Sequence, residues 1–510
     1  MGLYVGVDIG TSGTKTVLFN ESGQMLADSL YEYPLYQPAV GQAEQDPEDW
    51  WVAVYSSIND VIAKSGINAG DIKGVGLSGQ MHGMVLLDKK YNVLRKSIIW
   101  CDQRSFKECE EITELIGAKR LVEITANPAL TGFTASKVMW VKNNEPDIFE
   151  KTEKLLLPKD YIRFRLTGEF ATEVSDASGM QLMDIEKRDF SNEVLEKLGI
   201  EKSWLGKMYE SPEITGCITQ EAAGLTGLKA GTPVVGGAGD QAAGAVGNGI
   251  VKNGVISSTI GTSGVVFAHS DDITIDKAGR VHTFCHAVPG AWHVMGVTQG
   301  AGLSLKWFRD NFCGEEMAEA EKQGIDPYIL MDNEADKVKV GSNGVIYLPY
   351  LMGERTPHLN ADARGVFFGL SGAHTKYDIL RSVMEGVVFS LRDCLEVIKN
   401  MGVSINSIRA SGGGGKSHLW RQMQADVFNS EIHTVSSKEG PALGVAILAA
   451  VGTGEYKSVQ EACENIIKVN TRQSPNKENV PVYNKYYDIY KSLYVSLKDD
   501  FTKIAALVRE

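Results

Sequence analysis

The stretch VDIGTSGTK, Val7 to Lys15, contains a five-residue motif that occurs twice in the 510-residue chain. Its core IGTSG, residues 9–13, recurs at residues 260–264, close to half a chain length later. Each copy follows one run of strand-forming residues and precedes another, so each predicts the tight glycine-containing turn of a β-hairpin. The shared context on both sides favours an internal duplication, with one turn in each half.

The segments around the two turns alternate between strand and helix signals. This alternation favours an α/β fold in which helices cover both faces of a central sheet. Asp46 as N-cap and Pro47 as the first helical residue predict a helix that ends before Gly66. Thr375 and Asp378 have the spacing of a capping box and predict the start of a second long helix.

A glycine-rich segment at residues 227–249 can hold the crossover between the two halves. We therefore predict two domains, residues 1–245 and residues 246–510. The periodic, lysine-rich tail predicts a closing helix over residues 482–508.

The composition excludes several classes of protein. With 64 acidic and 51 basic residues, the net charge of -13 argues against a nucleic-acid partner and against an anionic membrane surface. The seven cysteines are scattered without a CxxC pair, which argues against a disulfide framework and against a structural zinc site. No signal peptide precedes the first strand, and no apolar run reaches the ~18 residues that a membrane helix needs. These features predict a cytoplasmic protein with reduced thiols.

The segment SGGGGKS, residues 411–417, ends like a P-loop. A P-loop also needs a glycine five places before its last glycine, so that successive backbone N–H groups face the phosphates. Ala410 occupies that place. The segment is therefore not interpreted as a P-loop, and the phosphate site is expected elsewhere.

The first IGTSG turn carries groups that phosphoryl transfer requires. That reaction needs donors around the phosphates, a carboxylate that holds Mg²⁺ directly or through water, and a base on the acceptor hydroxyl. Asp8 ends an apolar strand, the amides and hydroxyls of Thr11 and Ser12 can face an anion, and Lys15 lies close behind. The alternative is a plain hairpin in which Asp8 is a turn former. The second copy of the turn favours a phosphate chain held between two domains.

Two further residues have both a functional and a structural interpretation. Asp240 follows an apolar strand, where it can take a proton from a substrate hydroxyl or simply cap a helix that begins at Gln241. His82 lies between glycines after a strand, where a neutral imidazole can bind a sugar hydroxyl or complete a turn.

A histidine-rich segment contains His282, Cys285, His286 and His293. Its alternating pattern is typical of paired strands, and we prefer that interpretation to a zinc site.

Six motifs in order resemble a known family. They are VDIGTSGTK, GLSGQMHG, IIWCDQR, LLPKDYIRFRLTGEFATEVSDASGM, GGAGDQAAGAVG and YLMGERTPHLNADARGVFFGL. Together they are similar to the FGGY carbohydrate kinases from near residue 3 to about residue 455. The resemblance implies two duplicated actin-like ATPase domains, each with a ribonuclease H-like core, that close on ATP and a sugar in an interdomain cleft.

The resemblance also implies roles for single residues. Asp8 is similar to the aspartate linked to Mg²⁺, Thr11 and Ser12 to the first phosphate turn, Thr262 to the second, and Asp240 to the catalytic base. The implied sugar-binding residues are Met81, His82, Asp102, Arg104 and Gln241, with Asp240 beside them. The implied nucleotide-binding residues, with Lys15 near the first turn, are Gly302, Lys306, Trp307, Gly413, Gly414 and Ser417.

Glycerol kinases of the same family have an Arg-Glu pair where Met81 and His82 stand here, which favours a ketopentose as the acceptor. We therefore expect phosphorylation of D-xylulose at its 5-hydroxyl, with Mg-ATP as the donor. The alternatives are another ketose or polyol, such as ribulose, fuculose or glycerol, or an actin-like ATPase that is not a kinase. A homodimer is a candidate assembly.

Overall fold

The computed structural model describes residues 2–436 and 439–509 of the chain. The strands of the N-terminal half are β1 (Leu3–Ile9), β2 (Gly13–Asn20), β3 (Met25–Glu32), β4 (Glu44–Gln45), β5 (Ile72–Gly79), β6 (Val85–Leu87), β7 (Ser97–Ile98), β8 (Lys154–Leu156), β9 (Ala171–Glu173), β10 (Met183–Asp184), β11 (Asp189–Phe190), β12 (Lys207–Tyr209), β13 (Ile214–Cys217), β14 (Pro233–Val235) and β15 (Ala238–Gly239). Its helices are α1 (Pro47–Ser65), α2 (Phe106–Ile116), α3 (Ala118–Thr125), α4 (Thr134–Asn144), α5 (Pro146–Lys151), α6 (Pro158–Thr167), α7 (Val174–Ala177), α8 (Asn192–Leu198), α9 (Gln220–Thr226) and α10 (Asp240–Gly247).

The C-terminal half has fewer and longer elements. Its strands are β16 (Gly254–Ile260), β17 (Gly264–Ser270), β18 (His282–Cys285), β19 (Trp292–Thr298), β20 (Ile346–Leu348), β21 (Val366–Phe368), β22 (Ile405–Gly412), β23 (Ile432–Val435) and β24 (Val469–Gln473). Its helices are α11 (Gly302–Phe312), α12 (Gly314–Gln323), α13 (Pro327–Asp336), α14 (Lys376–Asn400), α15 (His418–Phe428), α16 (Gly440–Gly452), α17 (Val459–Ile466) and α18 (Asn479–Arg509).

The two large sheets have the same order and the same strand directions. In the first, β3, β2 and β1 are antiparallel neighbours, β5 and β14 continue in parallel, and antiparallel β13 closes the edge. In the second, β19, β17, β16, β22, β23 and β24 repeat that pattern. Both IGTSG motifs form the hairpin turn between the first two strands of their half. The predicted duplication is therefore confirmed.

The predicted helix signals are also confirmed. Asp46 caps α1 by accepting a hydrogen bond from the backbone N–H of Glu48, and Gly66 ends the helix in the left-handed conformation. Thr375 and Asp378 form the capping box at the start of α14. The tail forms the expected closing helix, α18, over residues 479–509.

Helix α16 joins the two halves, because it belongs to the C-terminal half but packs on the N-terminal sheet. A Cβ atom at Gly6 would lie 2.0 Å from the carbonyl oxygen of Ala442, and one at Gly76 would lie 2.0 Å from that of Val445. Only glycine permits such a close approach of helix and strand. The predicted domain boundary after residue 245 falls inside α10, which itself packs on α16.

The seven cysteines are all free thiols. Among residues 2–436 and 439–509, no helix combines the length and the apolar character that crossing a membrane requires.

Candidate active site

Two carboxylates meet where three neighbouring strands of the first sheet end. In the register of the parallel strands, Asp8 of β1 lies beside Ser78 of β5, and Ala238 of β15 lies on the other side of Ser78. Asp240 comes two residues after Ala238, at the first position of α10. The ends of parallel strands are where α/β folds bind ligands. The sheet therefore brings Asp8 and Asp240 to one ligand-binding edge.

The carboxylates of Asp8 and Asp240 form an electrostatic environment that favours a cation. Burial raises the pKa of Asp8 to about 6, and its Oδ1 atom accepts no hydrogen bond from the described residues. Burial and the charge of Asp8 raise the pKa of Asp240 to about 7. The Lys15 ammonium is on Asp28 instead. Two repelling carboxylates, one with an unpartnered oxygen, suit a divalent cation with oxygen ligands. Among the described residues, no group of three or more histidine, cysteine, aspartate or glutamate side chains could hold a metal ion.

The helix after Asp240 begins one residue earlier than the capping alternative assumes. Helix α10 begins at Asp240, and Gly239 occupies the N-cap position. The Asp240 carboxylate accepts hydrogen bonds from the backbone and the side chain of Gln241, which lower its pKa against the effect of burial. Asp240 is therefore the first residue of α10 and not its N-cap.

The first IGTSG turn is held from outside by three side chains that the sequence did not reveal. Trp100 Nε1 donates to Thr11 Oγ1 at 2.9 Å, Gln45 Nε2 donates to the Thr11 carbonyl at 2.7 Å, and the Tyr33 hydroxyl donates to the Gly10 carbonyl. Ser12 is exposed. These contacts fix the turn before any ligand arrives.

His82 has the geometry of a neutral hydrogen-bonding group. Its φ angle of 71° is left-handed, and its carbonyl accepts from Thr134 Oγ1 at 3.1 Å and Lys137 Nζ at 3.2 Å. Burial lowers the pKa of the ring to about 3, so the imidazole is neutral. Nδ1 lies 2.9 Å from the carbonyl oxygen of Gly179 and therefore carries the proton, which leaves Nε2 as an acceptor.

Met81 connects this histidine to the carboxylates. It is 5% exposed and packs against Gly239, the residue before Asp240, where a Cβ atom would lie 2.9 Å from Met81 Cγ. His82, Met81 and Asp240 therefore line one continuous stretch of the site.

A cavity of about 760 Å³ lies behind the second IGTSG turn. It is lined by six of the predicted nucleotide residues: Thr262, Gly302, Lys306, Gly413, Gly414 and Ser417. Its remaining wall includes six residues of the α13 segment that sequence reasoning missed: Asp326, Tyr328, Ile329, Asp332, Asn333 and Asp336. No motif marks that segment.

Two backbone approaches shape this cavity. The N–H of Gly302, the first residue of α11, donates to the Gly261 carbonyl at 2.8 Å, and a Cβ atom there would lie 2.3 Å from the same oxygen. The helix N-terminus therefore sits directly behind the turn, where it favours an anion. The SGGGGKS segment joins β22 to α15, and Ser417 caps α15 by accepting from the Trp420 N–H at 3.0 Å. It contributes a cavity wall rather than a P-loop.

Comparison with known proteins identifies the family. The model of the N-terminal domain of the FGGY family of carbohydrate kinases matches residues 3–247, and the model of the C-terminal domain matches residues 256–453. The chain belongs to the FGGY family of carbohydrate kinases. Its two halves are accordingly duplicated actin-like ATPase domains.

Relatives of this FGGY kinase match over nearly their whole length. The chain is 40% identical to a xylulose kinase of Bacillus subtilis, with 98% of both chains covered. It is 33% identical to a gluconokinase of the same organism, with 98% of this chain and 97% of the relative covered. The crystal structure of a xylulose kinase from Rhodospirillum rubrum superposes with a TM-score of 0.91 at 28% identity, over 98% of this chain and 100% of that one.

Three residues expected in the site of the FGGY kinase have side chains that contact other parts of the protein instead. Asp102 accepts from the Ala43 N–H at 2.6 Å and from Arg104, whose NH1 also pairs with Glu44 at 2.7 Å. Both side chains are thus fully engaged within the protein, beneath the loop that carries Trp100. Trp307 is absent from the cavity lining and packs on the rings of Phe312 and Phe367.

The histidine-rich segment of the FGGY kinase forms the antiparallel pair β18 and β19, as predicted. His282 lies at the boundary between the halves, where its Nδ1 is 2.8 Å from Asn127 Oδ1.

Proposed function

We propose that this FGGY kinase transfers the γ-phosphoryl group of Mg-ATP to the 5-hydroxyl of D-xylulose. The observation that carries the proposal is the Asp8 and Asp240 pair at the strand ends, joined to His82 by Met81. We call His82 with its neighbours Met81 and Phe133 the His82 pocket. The similarity to proteins named xylulose kinases supports the choice of acceptor.

Asp8 is proposed to hold the Mg²⁺ of Mg-ATP, directly or through water, because its Oδ1 atom has no other partner among the described residues. The cation neutralises phosphate charge. The backbone amides and hydroxyls of Thr11 and Ser12 in the first turn, and of Thr262 in the second, are proposed to bind phosphate oxygens.

Asp240 is proposed as the general base that orients and deprotonates the attacking hydroxyl. Its pKa of about 7 without ligand lies in the range where a carboxylate exchanges protons efficiently near neutral pH. Gln241 holds the carboxylate in place through its backbone and side chain.

The neutral His82 ring is proposed to accept a hydrogen bond from a sugar hydroxyl at Nε2, while Met81 packs against the carbon chain. The cavity behind the second turn is proposed to bind adenosine through Gly302, Lys306, Gly413, Gly414 and Ser417. Four of the expected site residues are not proposed to contact a ligand, because other residues of the protein engage their side chains. They are Lys15, Asp102, Arg104 and Trp307.

A coupled ADP-release assay tests the acceptor. D-Xylulose, ribulose, fuculose, glycerol and gluconate are compared with Mg-ATP as donor, and gluconate is included because of the gluconokinase relative. We expect the highest kcat/KM for D-xylulose. If another acceptor has a clearly higher kcat/KM, that acceptor replaces D-xylulose as the proposed substrate. If no acceptor stimulates ADP release, an ATPase that is not a kinase is favoured.

A further inference from the structure

We infer that Arg355, a residue of the C-terminal half, binds the acceptor sugar at the end opposite to the hydroxyl that is phosphorylated. The inference rests on the proposed function and adds a residue to it. It follows from a guanidinium group that has no hydrogen-bond or ion-pair partner among the described residues, and from a loop that runs beside His282, whose ring is linked to His82 through Phe133.

The carboxylate next to Arg355 is already saturated. Glu354 is 4% exposed, and its two oxygens accept hydrogen bonds from Thr298 Oγ1 at 2.6 Å, the Gln299 N–H at 2.9 Å and Ser390 Oγ at 3.1 Å. It also accepts from the backbone N–H of Arg355 at 2.7 Å, but not from the guanidinium. Glu354 therefore fixes the backbone of Arg355 and leaves its side chain unpaired.

The Arg355 guanidinium makes no hydrogen bond or ion pair with the part of the chain that the structure describes. Burial lowers the pKa of the Arg355 guanidinium, although solvent still reaches part of the side chain. A buried charge without a partner is costly in a folded protein. Five N–H donors in a partly open crevice are available to a ligand with oxygen acceptors.

Hydrogen bonds of the neighbouring residue place the Arg355 loop at the boundary between the halves. Thr356, the next residue, donates its N–H to the Val297 carbonyl at 3.0 Å and its hydroxyl to the Arg280 carbonyl at 2.7 Å. Arg280 lies two residues before His282. The loop therefore runs along the start of β18, where His282 meets the N-terminal half.

The sugar pocket lies on the other side of that boundary. The Phe133 ring contacts His82 at 5.0 Å and His282 at 5.8 Å between ring centroids, so it links the two histidines. The positive charge of Arg355 lowers the pKa of both histidines.

At the other end of the proposed sugar site, burial and the charge of Asp8 raise the pKa of Asp240, and hydrogen bonding to Gln241 lowers it. Burial and the charge of Glu439 raise the pKa of Asp8, and hydrogen bonding to Ser78 lowers it. The contact of Thr356 with Arg280 and the ring contacts from His282 through Phe133 to His82 assign Arg355 to the His82 end of the site. If the 5-hydroxyl of a ketopentose lies on Asp240, the carbonyl end with its O1 and O2 atoms points towards Arg355.

The test uses the full chain with Arg355→Gln and Arg355→Lys. The matched control is Arg364→Gln, which changes an exposed arginine of the same segment whose guanidinium donates to the carbonyls of Ala361 and Ala363. KM for sugar, KM for ATP, kcat and Tm are measured with D-xylulose and with 1-deoxy-D-xylulose, which lacks the O1 hydroxyl. Wild-type activity with D-xylulose reports on the proposed function, before any variant is compared.

We expect Arg355→Gln to lower kcat/KM for D-xylulose by about 5- to 150-fold, mainly through KM for the sugar, with KM for ATP and Tm preserved. Lysine should retain an intermediate value. The preference of the wild type for D-xylulose over 1-deoxy-D-xylulose should shrink in Arg355→Gln. An unchanged KM for the sugar, an unchanged preference, or a lowered Tm with equal losses for both substrates would overturn the inference while leaving the proposed function in place.

Discussion

The two IGTSG turns have the same backbone frame and different neighbours. In β1 the residue before Ile9 is Asp8, which lies beside Ser78 of β5. In β16 the residue before Ile260 is Thr259, which lies beside Ser411 of β22 and forms a hydroxyl pair with it at 2.7 Å. Equivalent positions in the duplicated sheets thus hold a carboxylate with an unpartnered oxygen in one half and a satisfied hydroxyl in the other.

The supports of the two turns differ as well. Side chains from Trp100, Gln45 and Tyr33 hold the first turn, whereas the backbone of α11 lies directly behind the second. The duplication therefore gives both halves the same strand order and the same turn. The residue two places before the turn's first glycine, Asp8 or Thr259, determines which half carries a carboxylate, and the adjacent elements determine which half contains the large cavity.

The largest effect is expected at Asp240, the proposed base at the strand ends of the N-terminal half. Asp240→Asn keeps the shape of the side chain but removes the base, so kcat should fall by roughly 10²–10⁴-fold while KM for ATP changes little. Steady-state kinetics on the folded variant checks this. Near-normal turnover would remove Asp240 from the chemistry and weaken the contrast between the halves.

The equivalent pair Asp8 and Thr259 tests the comparison directly. Asp8→Asn removes the proposed Mg²⁺ partner, so turnover at saturating sugar should fall by roughly 10²–10³-fold and sugar binding should persist. Thr259→Val breaks a hydroxyl pair and should cost about 0.5–1.5 kcal/mol of stability with turnover retained. Kinetics with titrated Mg²⁺ and calorimetry with xylulose measure both, and equal losses of turnover in the two variants would contradict the asymmetry.

A smaller effect is expected from the close backbone approach behind the second turn. Gly302→Ala places a Cβ atom 2.3 Å from the Gly261 oxygen, whereas Gly10→Ala in the first turn places one 3.2 Å from the Gly13 oxygen. Displacement of α11 should raise KM for ATP roughly tenfold, with a smaller change for Gly10→Ala. Nucleotide titration with Tm as the control for folding compares them, and the reverse order would show that the first turn is the tighter one.

The smallest effect concerns stability and pH. The pKa of Asp8 is about 6 in the folded protein and near 3.8 ordinarily, so folding takes up a proton between these values. The free energy of unfolding therefore falls as the pH rises from about 4 to about 6, and it stays reduced above that range. Asp8→Asn should raise Tm by about 1–3 °C at pH 8 without Mg²⁺, and hardly at all at pH 4. Thr259→Val should show no such pH dependence.

The sequence predicted the features that depend on local patterns. The repeated turn, the capped helices α1 and α14, and the aspartates at strand ends follow from spacing and from turn chemistry. The register of β1, β5 and β15 then makes the meeting of Asp8 and Asp240 a consequence of the predicted layers.

Side-chain direction could not be predicted, because it depends on residues distant in sequence. Arg104 pairs with Glu44 and Asp102, and Trp307 packs on the rings of Phe312 and Phe367. The α13 wall of the cavity carries no recognisable motif, so only its position in the folded structure shows that it lines the cavity. Arg355 lies inside a recognised motif, but only its unpaired guanidinium beside the His82 pocket indicates a role.

The position of α16 sets the order in which the chain can fold during synthesis. The N-terminal sheet emerges first, but the helix that lies on Gly6 and Gly76 spans residues 440–452, near the end of the chain. A nascent chain therefore carries an apolar sheet face without its cover until most of the protein has been translated, and the packing of the first half is complete only after α16 has been synthesised.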